Sequence, residues 1–281
     1  MNLLHDSILE LSSCCEKIVV VDNASLGYEE KAKISRESTL LSLNENLGLA
    51  AAQNAGIEIA LEEGADAIIF FDQDSVVTRG VVAGLIEAQE EFFRKGQSVV
   101  VAPMCFDSRT RKKYPVIQMH CSGKVTHLFP CRDDKPVEVS FLISTGSLIP
   151  RSIIEDIGGM RSDFFIDYVD TEWCLRARHK GYQLKVLPTL YLEHSIGDRN
   201  FSWCGLSFPI HSPERRYFRI RNSIAMLGLP HVPFLLAIRE VAKNIASQLF
   251  LGVTIRGKFF SYMGYGVKGI IDGVKLAFRI S

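Results

Sequence analysis

The sequence predicts an α/β protein in which a mostly parallel central sheet is flanked by helices, with a helical appendage at the C-terminal end. Three observations carry this expectation. Over roughly the first 150 residues, short apolar runs alternate with helical stretches, the βαβα order of a sheet covered by helices. The run "KIVVVD" (17–22) is too uniformly apolar to face water and is expected at the centre of the sheet. Glycines close the helical patterns, with Gly64, Gly96 and Gly181 each following a helix-length segment.

Taken in order, "MNLLHDSILEL" reads as an amphipathic helix with Leu4, Ile8, Leu11 and Cys15 on one face. Strand 17–22 follows, then a second strand, "TLLSL" (39–43). "LGLAAAQNAGIEIALEEG" (47–64) is a helix, and "AIIFF" (67–71) a third strand. A helix from Thr78 to Lys95 leads to a fourth strand, "SVVVAP" (98–103). Residues 104–136 mix basic side chains without a clear period and are expected to form a long surface excursion. "VEVSFLIS" (137–144) returns to strand, "RSIIEDIG" (151–158) is a short helix, and "YQLKVLPTLYL" is a late strand. In the helix "DTEWCLRARHKG" (170–181), Asp170 is placed to cap, Glu172 and Arg176 to pair at i,i+4, and Gly181 to close.

The chain has 281 residues, 47% of them hydrophobic and 23% charged, enough to bury a large core in one domain with an appendage. Lys+Arg and Asp+Glu are both 32, which argues against a nucleic-acid partner. Seven cysteines, none in a C-x-x-C pair and with no secretory leader, point to a reducing cytosol. From His231 onward, seven Lys or Arg face two acids, with Phe, Leu and Ile among them. The longest uncharged run there, Asn222 to Ile238, contains Pro230 and Pro233 and falls short of the roughly 20 apolar residues of a membrane span. The expected division is therefore 1–225 and 226–281. The second part is a basic amphipathic tail that lies on a membrane surface or packs on the domain or a second subunit.

The chemistry concentrates in "AIIFFDQDSVV" (67–77), where an apolar run stops at Asp72 and Asp74. Ligands of open α/β sheets bind beyond the carboxyl ends of strands, and Asp22 occupies such an end too. A D-x-D pair in a loop suits a hard divalent cation that also takes substrate phosphate oxygens. Two solvated turn aspartates would look the same in isolation. A haloacid dehalogenase-type phosphatase is the competing chemistry, with Asp72 as nucleophile and Asp74 as general acid. That motif opens its domain, however, whereas here two strand–helix units precede it.

"VVVDNAS", "NENLGLAAAQNAGI", "ADAIIFFDQDS", "STGSLIPRSIIEDIGGM", "DFFIDYVDTEWCLRARHKGYQL" and "EHSIGD" occur in an order and spacing that resemble an inverting family 2 glycosyltransferase of the GT-A fold. "FFDQDS" together with "FIDYVDTEWCLRA" looks most like the rhamnosyltransferases of bacterial O-antigen and related polysaccharides. The resemblance covers about residues 15 to 225. It implies transfer of L-rhamnose from dTDP-L-rhamnose, with inversion and Mg²⁺ or Mn²⁺, to a hydroxyl of a lipid-linked glycan. Such an enzyme works peripherally on the cytoplasmic face of the bacterial plasma membrane.

Residue by residue, the resemblance places Asp22 and Asn23 beside the nucleotide base, with Asn46, Gly48 and Asn54 on the same wall. It makes Asp72 face ribose and metal, Asp74 a metal ligand, and His194 a residue that closes over the metal or diphosphate. Asp170 matches the catalytic base and Glu172 the second acidic position, while Val169 stands where an acid usually precedes the base. Gly146 in "STGS" is placed near donor sugar or acceptor, and Arg221 and Arg219 near phosphates. For Asp170 a plain helix cap, and for the arginines solvated basic residues, are the non-functional readings. His120, Cys121, His127 and Cys131 have zinc-like types at a spacing that matches no common site.

The family's opening apolar strand has no counterpart here, so the sheet is expected to lack its first strand and to leave a strand edge unpaired. Three function classes therefore stand: a metal-dependent rhamnosyltransferase, a haloacid-type phosphatase, and a non-catalytic nucleotide-sugar-binding protein.

Overall fold

The structure, a computed structural model, describes residues 3–107, 112–120, 124–194, 199–203, 206–255 and 257–280. The chain forms two compact units, one from residues 1–163 and 173–195, the other from residues 164–172 and 196–281.

The first unit is the expected α/β body. Helix α1 (Leu3–Ser12) buries Ile8 and Leu11, the face its spacing marks out. Strand β1 (Val19–Asp22) pairs in parallel with β2 (Thr39–Ser42) through helix α2 (Tyr28–Ile34). Helix α3 (Leu49–Glu62) packs close to β1, since a Cβ on Gly56 would lie 3.2 Å from Val21. This close approach accounts for the small residues along α3.

Strand β3 (Ala67–Ile69), helix α4 (Arg79–Arg94) and strand β4 (Val99–Phe106) follow. Strands β5 (Val116–Met119) and β6 (Val125–Leu128) form an antiparallel hairpin within the expected excursion, too short to show a period in sequence. With β7 (Val137–Val139), β8 (Leu148–Pro150) and β9 (Gln183–Glu193), the central sheet has the order β3-β8-β4-β9-β7. Val81 and Leu85 of α4 pack on Val99, Val101, Leu148 and Leu187 to form its core. Helix α5 (Arg151–Ile157) buries Ile153, Ile154 and Ile157. Helix α6 (Val169–His179) has its first turn in the second unit and the rest in the first.

Two details differ from the sequence expectation. The sheet is mixed rather than mostly parallel: β4 and β9 run parallel, while β3–β8, β4–β8 and β7–β9 are antiparallel. Parallel neighbours need a crossover, usually a helix, and no helix separates β4 from β8 among the described residues. Strand β1, expected at the centre, pairs only with β2 among the described residues, and Val19 to Val21 are half-buried. Its apolar run reflects a helix on its face rather than strands on both edges.

The second unit contains the hairpin β10 (Arg199–Trp203) and β11 (Leu206–Ile210) and the helices α7 (Pro213–Ala225), α8 (Phe234–Thr254) and α9 (Phe259–Ile280). Ser212 caps α7 by accepting a hydrogen bond from Arg215 N, with Pro213 in the first turn. Helices α7 and α9 approach at glycine: a Cβ on Gly269 would lie 2.9 Å from Tyr217 O, and one on Gly273 2.8 Å from Arg221 O. Buried Arg216 ties α7 to α8, donating to Gln248 Oε1 at 3.0 Å and to the Asn244 side chain and carbonyl. The division expected after residue 225 falls inside this unit. Side chains of α7 grip residues 164–168, some 50 residues away in sequence, and so draw them into the helical unit.

Candidate active site

Beyond the end of β3, the backbone N–H of Asp72 donates to Thr145 Oγ1 at 3.1 Å. Phe70 N donates to Ser147 O and Gly146 N to Phe70 O, so the turn 144–147 runs alongside the D-x-D segment. Gly146 has φ 78°, and a Cβ there would meet Leu192 and Pro103 at 2.9 Å. The glycine is thus required by the turn itself, which holds Thr145 against Asp72.

On the other side, Val76 N donates to Glu193 O at 3.1 Å and His194 N donates to Phe106 O at 3.1 Å. These bonds align the loop after Asp72 with the end of β9. As a result His194 Nε2 lies 3.7 Å from Asp72 Oδ2, and His194 Nδ1 lies 3.6 Å from Asp74 Oδ1. Ser75, fully buried, bonds Thr145 Oγ1 at 2.8 Å and lies 3.5 Å from His194 Nδ1, which orients the ring. Thr145 carries no sequence signal beyond its "STGS" turn. The role of its hydroxyl follows from strand adjacency, which no local pattern records.

One ligand atom from each of Asp72, Asp74 and His194 falls within 4.8 Å of the others, a group able to hold a divalent cation. Burial pushes the Asp72 carboxyl above its ordinary value, an effect opposed by His194 and reinforced by the neighbouring Asp74 charge. A carboxylate so placed is short of positive charge, and two oxygens with one imidazole fit Mg²⁺ or Mn²⁺.

A second cluster joins Asn23, Asn46 and Gly48. Asn23 Nδ2 donates to Asn46 Oδ1 at 3.0 Å, Leu47 N donates to Asn23 Oδ1 at 2.9 Å, and Gly48 N donates to Asn46 Oδ1 at 3.0 Å. Gly48, with φ 87°, caps α3. Asp22 stands beside this wall but faces inward. Its Oδ1 accepts from Ser25 N, Ser25 Oγ and Leu26 N, and its Oδ2 meets Lys31 Nζ at 2.8 Å. Burial works against its charge, yet the Lys31 contact and the loop donors win and hold its carboxyl at about 2. Asn54, expected on the same wall, bonds Met160 N, Met160 O and Ser162 Oγ, tying α3 to the segment after α5.

Helix α6 starts at Val169, so Asp170 lies in the first turn rather than at the cap. Tyr168 O accepts the first helical bond, from Glu172 N at 2.9 Å. The N-terminal turn favours anionic side chains at Asp170 and Glu172. Glu172 is buried and meets His231 Nε2 at 2.8 Å, and Arg176 donates to Ile157 O and Gly159 O. Sequence gives no signal for His231, because 59 residues separate it from Glu172.

The segment before α6 is strained: Phe165, Asp167 and Tyr168 have φ of 61°, 63° and 64°. Left-handed non-glycine residues cost about 1–3 kcal/mol each and persist only where surroundings impose them. Here Arg215 and Arg219 grip the Asp167 carboxylate at 3.2 and 3.0 Å. Glu240 and Asn244 hold the Tyr168 hydroxyl, and Phe165 stacks on Phe218 at 4.6 Å. Arg221, expected near phosphates, donates to Phe164 O and Asn222 Oδ1 and lies over the Phe218 ring. Of the zinc-like quartet, Cys121 lies outside the described residues, and His120 bonds Thr126.

A sheet whose strand ends carry a carboxylate pair and a histidine, with a polar Asn wall on the neighbouring strand pair, has the build of a GT-A glycosyltransferase. The chain belongs to glycosyl transferase family 2, whose model matches residues 4–158. It is 34% identical over 273 residues to the dTDP-rhamnosyl transferase RfbF of Shigella flexneri, covering 97% of this chain and 90% of that one. Among solved structures it is similar to S. aureus TarS 1–349 in complex with UDP-GlcNAc. There the TM-score is 0.57 at 13% identity, covering 99% of this chain and 79% of that one. It spans 47% of a longer TarS chain. GalNAc-T7 with UDP, GalNAc and Mn²⁺ superposes with TM-score 0.56 at 14% identity, covering 87% of this chain and 55% of that one.

Proposed function

We propose that the protein is an inverting rhamnosyltransferase that moves L-rhamnose from dTDP-L-rhamnose to a hydroxyl of a lipid-linked bacterial glycan. The observation that carries the reading is the convergence of Asp72, Asp74 and His194 in a chain 34% identical to a dTDP-rhamnosyl transferase over nearly its full length. Asp72, Asp74 and His194 would hold Mg²⁺ or Mn²⁺, which when bound neutralises charge on the departing diphosphate. Asn23, Asn46 and Gly48 form the polar wall assigned to the nucleotide. Asp22 is assigned the supporting role of fixing the 22–26 loop. Asp170 accepts the proton of the acceptor hydroxyl. The acceptor oxygen bonds to the anomeric carbon as the carbon–phosphate-oxygen bond breaks, and the electron pair leaves with dTDP. Attack opposite the leaving group inverts the anomeric centre.

Incubation with Mg²⁺ or Mn²⁺, dTDP-L-rhamnose and alkyl glycosides of rhamnose, galactose and N-acetylglucosamine tests this. Release of dTDP with a new glycoside is the expected result. Phosphate release from simple phosphoesters would instead favour the phosphatase chemistry, and donor binding without turnover a non-catalytic role.

We infer, further, that residues 226–281 hold the enzyme on an anionic lipid surface at the cytoplasmic face of the membrane. No described helix is long and apolar enough to cross a membrane. Helix α9 nevertheless has two apolar faces. Gly269 and Gly273 pack on α7, while Phe260, Val267, Ile271, Val274 and Phe278 recur at helical spacing on the exposed side. Lys268, Lys275 and Arg279 flank that exposed stripe. Helix α8 adds exposed Phe234, Leu235, Ile238, Leu249 and Val253, with Arg239 and Lys243 alongside. An apolar face edged by cations suits an anionic interface better than a second equally cationic copy.

Flotation with phosphatidylcholine vesicles containing phosphatidylglycerol is expected to carry the protein. The doubly substituted Phe260→Asp, Phe278→Asp chain is expected to stay behind while binding dTDP normally. Absence of vesicle binding together with a concentration-dependent dimer would overturn the lipid assignment in favour of a second copy.

A further inference from the structure

We propose that Asn222 is a positioning residue for sugar transfer, locking segment 164–168, with its left-handed Phe165, Asp167 and Tyr168, so that Asp170 is presented in the first turn of α6. This role rests on Asp170 being the base. Asn222 is fully buried, and the two N–H groups of its Nδ2 are shared among Phe164 O at 2.8 Å and Ile166 O and Asp167 O at 2.9 Å each. Phe164 and Ile166 flank strained Phe165, and Asp167 is itself strained and precedes strained Tyr168, so one amide group spans the stretch that precedes Val169.

The direction of the amide is determined too. Arg221 Nε donates to Asn222 Oδ1 at 3.0 Å, which turns the –NH₂ toward the three carbonyls. Arg221 also donates to Phe164 O at 3.0 Å, so neighbouring residues of α7 grip the same segment. The holds on Phe165, Asp167 and Tyr168 from Phe218, Arg215, Arg219, Glu240 and Asn244 act through side chains. Asn222 instead collects three backbone carbonyls of the segment, and backbone orientation is what sets the direction of the α6 first turn.

Asn222→Asp is the sharpest change, because it replaces one atom. The oxygen facing Arg221 remains, while the donor facing three carbonyls becomes a charged acceptor that repels them. Asn222→Ala removes the donors without adding repulsion and serves if the Asp variant does not fold. Both are measured by Mg²⁺-dependent dTDP affinity and by steady-state transfer from dTDP-L-rhamnose to the alkyl glycoside that the unaltered protein uses. The expected result is dTDP affinity and donor KM within about twofold of the parent, with kcat lower by roughly 10²-fold for Asn222→Asp. Asn222→Ala is expected to fall in the same direction by less.

A parental kcat in a variant that binds dTDP normally would overturn the proposal. So would a loss of dTDP binding in proportion to rate in Asn222→Ala, which is the mark of a general structural role. Asp170→Asn separates the two assumptions. Full transfer in that variant removes the base assignment itself. An inactive Asp170→Asn beside fully active Asn222 variants removes only the positioning role.

Discussion

Asp170→Asn is expected to keep Mg²⁺-dependent dTDP binding and to lose transfer by about 10²–10⁴-fold, the usual contribution of a positioned general base. The change is nearly isosteric and leaves a polar group in the first turn of α6, so the helix start is preserved. What disappears is the carboxylate that accepts the acceptor proton as the new glycosidic bond forms. Glu172 stands two residues on but is buried against His231 at 2.8 Å, so it cannot readily substitute. The measurement is kcat beside dTDP affinity: a fall in kcat with affinity retained is the expected pattern. Wild-type transfer by the variant would end the assignment.

Asp74→Ala is expected to act on the opposite half of the kinetics. Asp74 lies 3.6 Å from His194 Nδ1 and is the more exposed carboxylate of the group. Its removal leaves Asp72 and His194 as a two-point site. Titration calorimetry with Mg²⁺ or Mn²⁺ and dTDP is expected to show metal-dependent affinity lowered by roughly 10²-fold. Transfer should fall by at least as much and recover only partly at high metal concentration. Unchanged metal-dependent affinity in the variant would remove Asp74 from the ligand set.

Much of the candidate site's geometry is legible in the amino-acid sequence. Asp72 and Asp74 are separated by one residue, follow an apolar strand and need only that strand's end to be placed correctly. His194 is legible for the same reason, since it ends the run Gln183–Glu193. Asn23 and Asn46 follow two strands that pair, so their contact follows from strand order. Thr145, His231 and Asn222, by contrast, have no periodic signature. Each acts across a long stretch of chain, as Asn222 does over 58 residues to Phe164. Asn54 and Arg221 show the reverse. Their residue types suit a ligand, and the structure adds backbone partners for their polar atoms that the sequence does not show. Asp22, likewise, has the type and place of a base contact but is held by its own loop and Lys31.

By itself the sequence determined the α/β class, most of the strand and helix order as far as β4, the carboxylate pair and the family, because these depend on local periodicity and short-range motifs. Only the tertiary structure decided the mixed strand directions, the assignment of residues 164–172 to the helical unit and the hydrogen bonds of the Asn222 amide. Strand direction depends on how the connection returns, and a left-handed segment persists only where distant side chains impose it. Those are properties of three-dimensional contact, and no window of neighbouring residues contains them.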